Sequence, residues 1–116
     1  MRIAIATLHG EVCEHFGYCE LFTIYDVENE QITKKMELAN PGHRPGFLPA
    51  FLSDHGINVI IAGGMGSGAV NLFIERQIAT ITGACGNVDS VINKWLSREL
   101  KSTGSVCNEH QNHQDC

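Results

Sequence analysis

Three features of the sequence predict a single α/β domain built on a mixed sheet covered by helices. Two β-rich segments near the start are followed by a regular alternation of short apolar runs and helical patterns. One of those runs, Asn58–Ala62, is a short buried stretch typical of a parallel strand, and Ile78–Thr82 gives the next strand. The chain has 116 residues, 43% of them hydrophobic, which supplies one core and not two.

The elements follow in order. Arg2–Thr7 alternates, with Ile3 and Ile5 on one face and Ala4 and Ala6 on the other, and reads as a first strand. Leu8–Glu20 breaks every period and holds two glycines, two cysteines and two histidines. Leu21–Val27 is the next strand. Glu28-Asn29-Glu30 turns it into a more polar edge strand around Gln31–Glu37, giving a hairpin. Asn40–Gly46 is a loop by its Pro and Gly content. Phe47, Leu48, Phe51 and Leu52 share one side of a helix that tolerates Pro49 in its first turn and ends at Gly56. After Gly63–Gly68 a helix is expected over Ala69–Arg76, and Ile78–Thr82 gives the last strand. Asn87 is placed to cap a final helix, with Asp89 in its first turn. Val88, Val91, Ile92, Trp95, Leu96 and Leu100 fit its period, and Gly104 closes it. The domain is therefore expected over residues 1–104, with 105–116 as a flexible Cys/His-rich tail.

Charge narrows the function classes. Eight Lys and Arg stand against 13 Asp and Glu, for a net charge of −5. An acidic chain without a basic stripe is poorly suited to nucleic acid or an anionic membrane surface. No apolar run approaches the roughly 20 residues that span a bilayer, and the polar turn by His9 leaves no signal peptide, so the expected location is the cytoplasm.

Five cysteines and six histidines are the unusual content. An odd cysteine count in such a chain points to metal or redox chemistry before a disulfide framework. Cys13-Glu14-His15-Phe16-Gly17-Tyr18-Cys19 places two thiols and an imidazole in one loop, ligand types that suit iron, copper, zinc and iron–sulfur clusters. The spacing matches no structural zinc template, and each cysteine alone reads equally well as a small buried hydrophobe. The stretch Ala62-Gly63-Gly64-Met65-Gly66-Ser67-Gly68-Ala69 lies between a strand and a helix. It resembles a dinucleotide fingerprint, but no acidic residue ends the next strand near Thr82 to hold a ribose. What remains is a tight turn, or a loop whose Gly64, Met65 and Gly66 backbone approaches an anionic ligand at a helix N-terminus. Gly66 is the residue expected to allow that approach, with strain on substitution if its φ is positive. Cys85, at the end of the last strand, lies where α/β sheets present ligand sites. The tail spaces Cys107, His110, His113 and Cys116 at every third position, enough ligand types for zinc although tighter than standard motifs. No G-x-S-x-G, H-E-x-x-H or facing carboxylate pair is present, and His43 reads as a surface loop residue.

Together these residues resemble the dinitrogenase iron–molybdenum cofactor biosynthesis family, the small NifX- and NafY-like proteins. The resemblance is carried by Met1–Ala6, Glu14-His15-Phe16-Gly17, Leu21–Asp26, Asn40-Pro41, Pro45-Gly46-Phe47-Leu48-Pro49, Gly56–Gly66, Thr82-Gly83 and the Cys/His-rich tail. It implies a three-layer αβα, ribonuclease-H-like fold with a five-stranded mixed sheet. It further implies a binding or carrier protein, not an enzyme, for an iron–molybdenum cofactor, its precursor or a related metal–sulfur cluster. Its partners would be metallocluster donor and acceptor proteins, and His15 would be a cluster ligand. Two other readings stand beside it. A nuclease-like or nucleotide-dependent enzyme on the same fold would need clustered acidic residues for Mg²⁺ that the sequence lacks. A zinc-stabilised regulatory module would use the cysteines and histidines for stability alone.

Overall fold

The computed structural model describes residues 1–42 and 46–98. Its elements are β1 (Arg2–Leu8), β2 (Glu11–Val12), a 3₁₀ turn (Phe16–Tyr18), β3 (Leu21–Glu28), β4 (Gln31–Ala39), α1 (Phe47–Asp54), β5 (Val59–Ile61), α2 (Ser67–Glu75), β6 (Ala79–Ile81) and α3 (Val88–Leu96). The sheet order is β4-β3-β1-β5-β6, with β2 paired to β1. β1 runs antiparallel to β3 and parallel to β5, and β5 runs parallel to β6. No helix among the described residues is long and apolar enough to cross a membrane.

The alternation of β1 separates two cores. Ala4 and Ala6 face one layer with Leu48 and Leu52 of α1 and Phe73 of α2. Ile3 and Ile5 face the other with Val88, Val91 and Ile92 of α3. Helices therefore cover both faces of a mixed sheet, in three layers. The small alanines of the first face are matched by bulk elsewhere. Phe16 packs at 5.8 Å from Phe22 and edge-on at 5.4 Å from Phe73.

The predicted hairpin is β3–β4, turning through Asn29 and Glu30 at φ 53° and 63°. Positive φ at both turn positions matches the twist of the flanking strands. β4 is the edge strand, and Lys34 and Lys35 on it discourage further pairing. Asn87 caps α3 as expected, its Oδ1 accepting from the Asp89 and Ser90 amides at 2.9 and 3.3 Å. Asp89 then accepts from the buried Tyr25 hydroxyl at 2.7 Å and from Lys35 Nζ at 3.0 Å, tying α3 to the hairpin.

Three expectations change. The sheet has six strands instead of five, because β2 lies inside the segment read as aperiodic. Two residues are too few to show a period; β2 arises because His9 and Gly10, at φ 54° and 80°, fold the chain back onto Thr7 and Leu8. The 3₁₀ turn hides in the same segment. The second helix begins at Ser67 and ends at Glu75, since Gly66 acts as its N-cap and both Ser67 and Gly68 join the first turn. His43, Leu100, Gly104 and the tail candidates Cys107, His110, His113 and Cys116 lie outside the described residues.

Candidate functional site

Because β1, β5 and β6 are parallel, their C-terminal ends share one edge of the sheet. Three connections leave from that edge: residues 9–20 after β1, 62–66 after β5 and 82–87 after β6. Backbone hydrogen bonds fasten them to one another. The Gly63 N–H donates to the Cys13 carbonyl at 2.9 Å and the Phe16 N–H to the Gly64 carbonyl at 3.0 Å. His15 and Gly64 thereby form an isolated parallel bridge. The Gly83 N–H donates to Gly63 at 2.7 Å, and the Val12 N–H donates to Gly86 at 2.8 Å. The edge is thus a laced set of loops, not three independent ones.

Gly63 is the residue that permits this closeness. A Cβ there would stand 2.9 Å from the Glu14 Cα and 3.0 Å from the Cys13 carbonyl oxygen. Both are backbone atoms, which cannot swing aside. Gly66 is different: its φ is −64°, and a Cβ would meet nothing within 4 Å. The condition for strain at Gly66, a positive φ, is therefore not met, and nothing among the described residues requires glycine there or at Gly68. Gly66 offers α2 no side-chain cap, and the first turn carries no acidic residue. The positive end of the α2 dipole thus stands at this edge uncompensated by a side chain.

The predicted ligand loop splits into two populations. His15 is exposed, and its ring stands 6.2 Å from that of Tyr18 at 85°. Cys13 and Cys19 are each only 5% exposed and belong to the core beneath α1 and α2. The Cys13 thiol donates to the His15 carbonyl at 3.2 Å, and Cys19 Sγ accepts from Asn40 Nδ2 at 3.6 Å. Burial is the main force raising both thiols above their ordinary range, and it pushes Cys19 up to about 12. A soft metal is held by thiolate, and burial keeps these two sulfurs as thiols. Among the described residues no three His, Cys, Asp or Glu side chains are arranged around a metal position. Met65 is fully buried, so only its backbone is available, whereas Gly64 is buried and Gly66 exposed. Cys85 is half-buried in the loop after β6, on the same edge.

The structure therefore brings together His15, the Gly63–Gly66 loop and the start of α2, with Cys85 on the neighbouring loop. It turns Cys13 and Cys19 inward. Two residues of this edge had no weight in the sequence. Gly63 was signalled only by a double glycine directly after a strand, and Tyr18 by nothing more than its place in the loop.

Comparison with known proteins gives this edge its context. The chain is 29% identical over 106 residues to an uncharacterized protein, MJ0580, of Methanocaldococcus jannaschii, covering 87% of this chain and 90% of that one. It is similar to the crystal structure of PH0822, with a TM-score of 0.83 and 30% identity over 89% of this chain and 95% of the other. The apo form of the orange protein from Desulfovibrio gigas shares the fold at a TM-score of 0.77, with 19% identity over 92% of this chain and 96% of that one. Residues 1–98, which carry every strand and helix described above, match the dinitrogenase iron-molybdenum cofactor family, and the chain belongs to that family.

Proposed function

We propose that this protein binds and carries an iron–molybdenum cofactor, its precursor or a related metal–sulfur cluster, passing it between donor and acceptor proteins without catalysing a reaction. The observation that carries this reading is the bridge between His15 and Gly64. It fixes the backbone of His15, whose side chain is exposed, against the loop that leads into α2 at Gly66, so one surface would offer a metal ligand and a positive dipole end to the same cargo. Such a cargo has metal atoms for the imidazole and anionic sulfides or acid groups for the backbone amides. Family membership supports the class of cargo. One exposed ligand with backbone donors, as this edge offers among the described residues, also suits a carrier, which has to release what it holds.

Cys85 lies on this edge too, but its sulfur is disulfide-bonded and in that state offers no thiolate. Cys13 and Cys19 would act as helpers only if the loop opened, since both are buried. The test is anaerobic reconstitution with isolated iron–molybdenum cofactor, comparing the wild type with His15→Ala. Lower affinity at unchanged thermal stability supports the ligand role. Full affinity in His15→Ala would remove it and move the site to the cysteines or the tail.

A further inference from the structure

We infer that Tyr18 is the positioning residue for His15: its ring stands against the imidazole and restricts it to one orientation beside the Gly63–Gly66 loop. The inference deepens the reading above and rests on it. The 3₁₀ turn carries two aromatic side chains and treats them oppositely. Phe16 enters the core at 4% exposure, whereas Tyr18 remains 74% exposed. Exposure alone would say little, because single apolar residues on a surface are common. Here it coincides with a specific contact, the T-shaped pairing with His15 at 6.2 Å and 85°.

The backbone makes that pairing rigid. The Tyr18 N–H donates to the His15 carbonyl at 3.0 Å, closing the turn so that the two side chains leave adjoining positions. The Phe16 N–H of that same peptide unit donates to Gly64 at 3.0 Å, and on the N-terminal side the Cys13 carbonyl accepts from Gly63 at 2.9 Å. The backbone is held on both sides of His15, and the edge-on Tyr18 ring opposes rotation of the imidazole. A ligand already restricted in the free protein loses less entropy when cargo arrives. Tyr18 thus contributes through its ring and by way of His15.

The experiment uses the full chain, isolated iron–molybdenum cofactor under anaerobic conditions, and the variants Tyr18→Ala, Tyr18→Phe and His15→Ala. Edge-to-face aromatic pairs correspond to a change of about three- to tenfold in an equilibrium constant. Tyr18→Ala is therefore expected to bind the cofactor about three- to tenfold more weakly, and Tyr18→Phe to bind like the wild type. Adding Tyr18→Ala to His15→Ala should produce no further loss, because the effect passes through the imidazole. Nuclear magnetic resonance of the cofactor-free protein supplies an independent readout. The His15 ring protons should lose their ring-current shift in Tyr18→Ala and keep it in Tyr18→Phe. If Tyr18→Phe weakens binding as much as Tyr18→Ala, or if the His15 signals do not respond to removal of the ring, positioning by the ring is refuted. If His15→Ala loses affinity while Tyr18→Ala keeps it, this inference fails and the carrier reading stands. If His15→Ala binds normally, the carrier reading itself fails at His15.

Discussion

Replacing Gly63 with alanine is expected to loosen the edge where the proposed cargo sits, and the size of the effect follows from the geometry. The new Cβ would lie 2.9 Å from the Glu14 Cα, 3.0 Å from the Cys13 carbonyl oxygen and 3.2 Å from the Glu14 carbonyl oxygen. All three atoms are backbone, so relief requires the segment carrying His15 to move away from the loop after β5. That movement stretches the Gly63-to-Cys13 and Phe16-to-Gly64 hydrogen bonds, now 2.9 and 3.0 Å. Overpacking of this kind costs about 1–3 kcal/mol. The stiffer unfolded chain of an alanine variant returns about 0.4–1 kcal/mol, so the net loss is roughly 1–2 kcal/mol. For a chain of this length that lowers the midpoint of thermal unfolding by roughly 4–10 °C. Calorimetry measures it, and hydrogen exchange at the Phe16 amide reports whether the bridge to Gly64 has opened. Gly68→Ala is the control: a Cβ there meets nothing within 4 Å, so it should be neutral or slightly stabilising. A Gly63→Ala variant as stable as the wild type, with an unchanged Phe16 amide, would refute the claim that these loops are laced through Gly63.

The remaining predictions concern other parts of the molecule. Gly66→Val should fold normally, since its φ is ordinary and the space is open, but should bind cofactor more weakly in the reconstitution assay; equal affinity would remove the start of α2 from the site. Stability should fall in acid. The Arg2 guanidinium 2.7 Å from Asp26, and the Tyr25 and Lys35 donors to Asp89, hold both carboxyls below their ordinary value of 3.8. Their contribution is present above that value and is lost as pH drops through the lower folded values, which urea titrations at successive pH can follow. Alkali should act in the opposite sense on Cys19. The unfolded thiol ionises from about 9 while the folded one stays protonated to about 12, so stability should decline across that window, by up to about 1.4 kcal/mol per pH unit, and decline less in Cys19→Ala. Truncation after Gly104 should leave cooperative unfolding intact if Ser105–Cys116 is an appended arm, and loss of cooperativity would make the tail part of the fold.

Periodicity revealed those parts of the fold in which one face meets a core. Ile3, Ile5, Ala4 and Ala6 alternate because β1 divides two hydrophobic layers, and Val88, Val91 and Ile92 recur because α3 covers one of them. β2 carried no such signal, being two residues long and created by a backbone reversal at His9 and Gly10. The candidate site was legible as a list of residue types and not as an arrangement. Cys13, His15 and Cys19 look equivalent along the chain. Their separation depends on Phe16 entering the core next to Phe22 and Phe73, and Phe73 is distant in sequence. Gly63 and Gly66 look interchangeable as well. What distinguishes them is whether another loop lies overhead, and that is decided by the pairing of β1 with β5.

That same separation bears on how a carrier of this kind would operate. If Cys13 and Cys19 stood at the surface beside His15, three soft ligands would grip a metal–sulfur cargo strongly and release it slowly. Burial removes the two sulfurs from competition, because a desolvated thiol resists the ionisation that ligation demands. Among the described residues, the hold proposed above would then be one imidazole with backbone donors, each weak enough to be exchanged for an acceptor's own ligands. The sulfurs still serve the site through structure. Cys13 donates to the carbonyl of His15 at 3.2 Å, and its own carbonyl accepts from Gly63 at 2.9 Å. A Cys13→Ser replacement would preserve a donor while making the group smaller and more polar, in a core position that is 5% exposed. It should therefore lower stability before it lowers affinity, the reverse of what His15→Ala should do. Measuring unfolding and cofactor binding on both variants separates the residue that holds cargo from the residue that holds the holder. Loss of affinity in Cys13→Ser at undiminished stability would show that the thiol reaches the cargo after all.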